Sequence, residues 1–420
     1  MLSRHNTLML EPSPTDGLTR ASTSESLLGS PDYAVLRARA HNLRWACVDM
    51  DVIPLTAADP DLPAPQQVVE HLAQYIASPH FSYGPAGGLI EFRAAVAQHF
   101  ASTKNCTIDP DAVTATNSAA SAITLVARHL LKQGDEVVVQ DPVDFLVTES
   151  VRRAGGTLRL WAHDRGRFTL DGLAAAITPR TRALCLCHPH NPMGSLWSGA
   201  EVRAIAAFAA ALGIEIISDE VWSDVVLDQR AFTSFAAMSG SGATPWVVYG
   251  LSKGYALAGL RIGAVLAPSV ARAAEFRAQA GFDHTIEGAS TLSQVAATAA
   301  LMHCDEWRAA FLSHVAQQRT HAATRLRALA GVELSALPEA TFVLFPNISA
   351  TGLACETLAA RIEQFARVRV VPGSPRWFGH AASGHIRLSL ATTRATLDEA
   401  LDRITASWSS IIDVTHKHSK

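Results

Sequence analysis

Between about residues 112 and 268 the chain alternates two hydrophobic patterns. Short, near-continuous apolar runs rich in valine, isoleucine and leucine are separated by stretches with helical periodicity. The runs Glu136–Gln140, Thr157–Trp161, Ala183–Cys187, Ile214–Ser218, Trp246–Tyr249 and Ile262–Leu266 predict strands. Ala119–Leu131, Val147–Ala154 and Ser198–Leu212 predict helices. Strands apolar on both faces that alternate with helices belong in a mainly parallel sheet covered on both sides, an α/β fold. Upstream, the pattern predicts a helix from Tyr33 to about Leu43, an extended piece at Ile53–Pro60, a helix opened by Pro65, a loop at Phe81–Gly88 and an amphipathic helix over Leu89–Phe100. Downstream, a helical region over 270–330 leads into an α+β pattern. Val332–Leu334, Thr341–Phe345, Val368–Val371 and Gly384–Leu390 read as strands and Leu397–Ser407 as a closing helix. We therefore expect a large domain over 66–290 and a smaller α+β domain built from 33–65 and 291–412. Residues 1–32, rich in Ser, Thr, Pro and Gly, are expected to form a disordered tail.

Composition narrows the function without naming it. A chain of 420 residues, 48% hydrophobic and 17% charged, can fill two cores. A net charge of -3 and a pI near 6.6 give no electrostatic reason to expect nucleic acid or an acidic membrane surface. No stretch approaches the roughly 20 apolar residues of a membrane span. The N-terminus lacks the basic and apolar regions of a secretory signal, so a cytoplasmic location is expected. The cysteines form no disulfide framework. Cys185 and Cys187 alternate with leucines in a strand, lack zinc-site spacing and read as reduced core thiols, so no metal is expected.

Polar residues gather where the predicted strands end: Asp141, Asn191, Asp219 and Lys253. Ligands of parallel sheets sit at those ends. Lys253 is the single lysine between residues 133 and 416, in an apolar, glycine-rich stretch. It is either a chance surface lysine or an amine that attacks a carbonyl to form a Schiff base. Asp219 either caps the segment that follows or keeps a pyridine-type nitrogen protonated. Asn191 either builds an Asn-Pro turn or donates its amide to a ring oxygen. Arg387, inside an apolar strand, either closes an internal salt bridge or grips an α-carboxylate with its planar fork. Asn117–Ser121 opens a helix whose free N–H groups suit a phosphate, with Arg261 as added charge.

The ordered set Asn191-Pro-x-Gly, Asp219-Glu220, Ser252-Lys253, Arg261-x-Gly and Arg387, spaced by 28, 34, 8 and 126 residues between its key positions, resembles the pyridoxal-phosphate enzymes of the aspartate aminotransferase superfamily. The resemblance spans roughly residues 35 to 410. It implies a seven-stranded-type sheet and pyridoxal 5'-phosphate carried by Lys253, which also shuttles the proton. Asp219 would pair with the pyridine nitrogen and Asn191 with the ring oxygen. Ser118, Ala119, Ser252 and Arg261 would hold the phosphate, and Arg387, Ala58 and Asn191 the substrate. Tyr83, in Tyr-x-Pro-x-x-Gly, would reach the phosphate of a neighbouring subunit, which implies a homodimer. His188 and His190 are expected to line the substrate side or cap the turn, and His284 to contact substrate from the partner subunit. The chain departs from the family at three places. Trp222 stands where a tyrosine commonly touches the ring oxygen, Gly250 where a hydroxyl helps hold phosphate, and Asp144 where an aromatic ring stacks on the cofactor. Phe145 is the nearest candidate for that stacking role.

Two reactions follow from the resemblance: transamination between an L-amino acid and a 2-oxo acid, and β-elimination. The segments Leu55–Asp61, Ile217–Asp224 and Arg387–Arg394 resemble the cystathionine β-lyase-like C–S lyase branch. The Lys253 to Gly263 stretch, with Arg261, looks more like an aminotransferase, the preferred reading. Other α-carbon chemistry such as cyclisation or dehydration stands behind these two. A non-enzymatic regulator of this fold would carry a basic DNA-binding segment, which is not seen before residue 35. No second arginine is placed for a dicarboxylate side chain, so aspartate and glutamate are not expected as main donors.

Overall fold

The computed structural model describes residues 27–163 and 166–413. Most of the tail expectation, residues 1–26, lies outside them. At its end Leu28 is buried in the larger core rather than belonging to a tail.

A two-residue strand, β1 (Ile53–Pro54), precedes seven that form one sheet: β2 (Val113–Thr116), β3 (Glu136–Asp141), β4 (Thr157–Ala162), β5 (Thr181–Cys187), β6 (Glu215–Asp219), β7 (Pro245–Gly250) and β8 (Gly263–Leu266). Their order is β2-β8-β7-β6-β5-β3-β4. The run β7-β6-β5-β3-β4 is parallel, and β8 lies antiparallel between β7 and β2. Strands β3, β5 and β7 are buried along most of their length, as helices on a sheet require. Edge strand β4 is largely exposed. The other edge, β2, has the mixed pattern Val-Thr-Ala-Thr, which hid it from a search for continuous apolar runs.

Local chemistry starts the helices that carry the site. Ser118 caps Ala119–Leu130, Asp144 caps Phe145–Arg153, and Ser198 with Glu201 closes a capping box on Gly199–Ala211. The first two of these helices begin within a few residues of the C-terminal end of a strand, and the third follows the longer turn that carries Asn191.

A second core contains Trp45, Leu55, Leu326, Leu358, Leu388 and Trp408. Around it lie β9 (Val343–Leu344), β10 (Val368–Arg369), β11 (Val371–Pro372) and β12 (Ile386–Ser389). The expected strand Val368–Val371 is split: β10 pairs with β1, and β11 pairs with β12 in a separate antiparallel sheet. Val332–Leu334 forms no strand; Glu333 makes a single bridge to Asn347. The two cores do not part at residue 290. The Thr291–His303 helix packs on the helices Gln66–Ile76 and Ile90–Lys104 of the larger core. The change falls within the long Asp305–Arg327 helix, whose Trp307, Phe311 and Val315 belong to the larger core and Ala322, Ala323 and Leu326 to the smaller.

Candidate active site

Neighbouring parallel strands point the same way, so the C-terminal ends of β3, β5, β6 and β7 line one edge of the sheet. Asp219 is the last residue of β6, Asn191 lies four past β5, and Lys253 three past β7. Asp141, the last residue of β3, turns elsewhere: its carboxylate accepts from the Ala381 N–H at 3.2 Å.

Two of the described lysines are set among side chains, Lys104 buried and Lys253 partly buried, and they differ in their partners. Lys104 has the Asp224 carboxylate at 2.6 Å, itself bonded to His99 and Tyr249. Lys253 Nζ donates to the Ala58 carbonyl at 2.5 Å and lies 5.4 Å from the centre of the Trp222 ring. Burial lowers the Lys253 pKa, opposed by Asp59 and Asp144, with Arg387 adding to the lowering and Asp219 opposing it. A desolvated amine held by a neutral carbonyl is the arrangement that frees a lysine for nucleophilic or proton-transfer work.

Asp219 is buried, and burial pushes its carboxyl up to about 7; the Val221 N–H, donating at 3.1 Å, pulls it back and Asp144 raises it further. That N–H is its one side-chain hydrogen bond among the described residues. Such a carboxylate lacks a cationic or N–H partner on its remaining lone pairs.

Asn191, Asp144 and Arg387 form a triangle. Asn191 Nδ2 donates to Asp144 at 2.8 Å, Arg387 donates to Asn191 Oδ1 at 3.2 Å, and Arg387 and Asp144 approach to 3.6 Å. Arg387 comes from β12 of the smaller core, also donates to the Thr56 carbonyl at 3.3 Å, and lies over the Phe378 ring at 4.8 Å. Its buried Nε has no partner among the described residues. The site is thus assembled from both cores.

Above β8, Gly263 brings the strand against the Ala119–Leu130 helix start. A Cβ there would lie 2.9 Å from the Ala119 nitrogen and from the Ser118 carbonyl carbon. Ser118 is buried and spends its hydroxyl on the Ser121 N–H at 3.1 Å. Arg261 is exposed and has a positive φ of 51°; its backbone N–H donates to the Ala258 carbonyl, and its side chain makes no hydrogen bond or ion pair among the described residues. Ser252 is partly buried beside Lys253.

Residues 50–404 match the family model for aminotransferase class I and II. The chain is 30% identical over 366 residues to an aspartate aminotransferase of Pyrococcus abyssi, covering 84% of this chain and 91% of that one. The crystal structure of an aromatic aminotransferase from Pyrococcus horikoshii superimposes with a TM-score of 0.79 at 29% identity, over 87% of this chain and 98% of that one. A Clostridium difficile chain solved with pyridoxal phosphate bound superimposes with a TM-score of 0.82 at 22% identity over 92% of this chain and 99% of that one, which bears on the fold.

This chain is a class I and II aminotransferase.

It belongs to the pyridoxal-phosphate-dependent superfamily, and the relatives are named for transamination rather than lyase chemistry. Within this aminotransferase several residues stand apart from their expected places. Phe145 packs edge-on against Trp377 at 5.4 Å, while the preceding Asp144 presents its carboxylate to Asn191 and Arg387. His188 is a core histidine, stacked between Trp197 and Phe232, and burial brings it down to about 4. It does not line a substrate space. His190 does cap the turn: its Nδ1 accepts from Met193 N at 3.4 Å, its other ring nitrogen meets the Pro142 carbonyl, and burial lowers it to about 3. Tyr83 and His284 are exposed in this chain, Tyr83 at 89%. Cys185 and Cys187 are buried free thiols, and no group of metal-binding side chains occurs among the described residues. Sequence reasoning missed Asp59, a desolvated carboxylate and the strongest favourable charge on Lys253. Its place beside Ala58, in a turn ahead of Pro60, was the available signal.

Proposed function

We propose that this aminotransferase holds pyridoxal 5'-phosphate on Lys253 and moves the amino group of an L-amino acid to a 2-oxo acid. The observation that carries the reading is a partly buried lysine bonded to a carbonyl, near a buried carboxylate with unused acceptor capacity. The donor set fits the cofactor: Asp219 suits a ring N–H, and the Ala119 helix start with unpartnered Arg261 suits a phosphate dianion. When bound, the cofactor supplies an electron sink for a carbanion at the substrate α-carbon.

The chain's own residues do the remaining work. Lys253 Nζ takes and returns the α-proton, which its burial-lowered pKa favours. Asp219 keeps the ring nitrogen protonated, and Asn191 orients the ring by donating to its oxygen. Ser118, Ala119, Ser252 and Arg261 hold the phosphate, joined by Tyr83 of a second copy in a homodimer. Trp222 walls the ring beside Lys253, and Arg387 takes the substrate carboxylate next to the Ala58 backbone. Six free cysteines, five of them buried, fit a reducing compartment such as the cytoplasm. No helix among the described residues is long and apolar enough to cross a membrane.

The test is the absorbance of the purified protein mixed with a panel of L-amino acids in single turnover. Bleaching of the visible band, reversed by a 2-oxo acid, is the expected outcome. Lys253→Ala should lose the band and lower turnover by about a thousandfold or more. Release of ammonia with the band intact, or an unchanged spectrum in Lys253→Ala, would overturn the reading.

A further inference from the structure

The anionic vertex of the triangle carries a consequence for substrate choice. Asp144 has two jobs on two oxygens: Oδ1 caps the Phe145–Arg153 helix through the Leu146 N–H at 3.1 Å, and Oδ2 meets Asn191 and Arg387. Its side chain keeps 18% exposure against 7% for Arg387, so the carboxylate is the more accessible member of the pair. The charged groups acting on Lys253 are Asp59, Asp144 and Asp219 against the single cation Arg387. On the proposed reading of the site, Asp219 is matched by the ring nitrogen and Arg387 by the substrate α-carboxylate. Asp144 then has no cation left, and it borders the space beside Arg387 and Asn191.

We propose that Asp144 sets substrate charge: it competes with the α-carboxylate for Arg387 and disfavours amino acids bearing a second carboxylate, in favour of side chains that are neutral, hydrogen-bond donating or cationic. This inference rests on the aminotransferase reading of the same site. The expected discrimination follows from Coulomb's law: like charges facing each other across a partly buried site repel enough to change binding by about tenfold or more.

The experiment uses the cofactor-loaded protein and two unreactive probes, propionate and maleate, with dissociation constants read from the perturbation of cofactor absorbance. Asp144→Ser removes the charge and keeps a helix cap, and Asp144→Asn does so with an isosteric side chain. Both probes should bind more tightly to the variants, because Arg387 is released. Maleate should gain about tenfold more than propionate, and kcat/KM for aspartate should rise relative to glutamine in parallel. Equal gains for the two probes, within twofold, would overturn the proposal and leave Asp144 as a simple competitor at Arg387. A wild-type protein that bound no cofactor would overturn the site reading and this inference with it; a loaded wild type with unselective variants would overturn this inference alone.

Discussion

Lys253 and Asp219 illustrate how burial alone prepares groups for chemistry. Lys104 is more enclosed than Lys253 and is neutralised by Asp224, so it is a structural cation. Lys253 has a carbonyl for a partner, and its ammonium form is disfavoured. Asp219 carries the same strain with opposite sign. Its carboxyl is raised from the usual value near 4 to about 7, chiefly by burial, so the cofactor-free folded chain holds that proton more tightly than the unfolded chain. The stability this group contributes is therefore full below pH 4 and lost as pH rises through about 7. We expect the stability of cofactor-free wild type relative to Asp219→Asn to fall across pH 4 to 7 by a few kcal/mol, measured by urea unfolding at several pH values. If the ring nitrogen of bound cofactor partners the carboxylate, as proposed, the slope should flatten with cofactor bound. A cofactor-free protein whose relative stability rose over that window would contradict this account.

At the level of elements, the site depends on how closely a strand and a helix start approach. Gly263 opens β8 directly against Ser118 and Ala119, where backbone atoms leave no room for a Cβ. Backbone cannot swing aside as a side chain can, so Gly263→Ala should push the helix start off the sheet and splay its N–H groups. We expect cofactor affinity to fall by about tenfold or more, read by absorbance titration, with a stability loss of roughly 1–3 kcal/mol. A similar logic explains Gly254 beside the lysine, since a Cβ there would lie 2.9 Å from that of Asp224. Most helices and strands were legible from the sequence, the strand ends displaced by a residue or two and the ends of the Tyr33–Arg39, Ile90–Lys104 and Arg394–Ile412 helices by up to three to five. The parallel strands are apolar on both faces and announce themselves. Edge strand β2 and the split pair β10 and β11 do not, because their pairing depends on distant partners: β8 for β2, β1 for β10 and β12 for β11.

For the whole molecule, Arg387 arrives from the smaller core while Lys253, Asp219 and Asn191 stand on the larger one. Relative movement of the two cores would therefore alter the distance between Arg387 and the Lys253 amine. Phe81 at 60%, Tyr83 at 89% and Ile286 at 76% are exposed apolar side chains of the single chain. The proposed homodimer predicts a sedimenting mass of twice the 44.8 kDa chain. It further predicts that Tyr83→Phe stays dimeric but binds cofactor several-fold more weakly, because one hydroxyl is lost from the phosphate. A monomer with full cofactor affinity would refute the shared site.

The sequence by itself determined the fold class, the lysine and the ordered set of strand-end residues. These follow from apolar periodicity and from residue types whose chemistry is scarce. Only the tertiary structure decided which polar groups meet. It turned Asp141 away to Ala381, put His188 into an aromatic stack, brought Asp59 beside Lys253 and joined Asp144 to both Asn191 and Arg387. The physical reason is that periodicity encodes which side of an element is dry, whereas the partners of a buried charge are set by desolvation and distance among segments far apart in the chain.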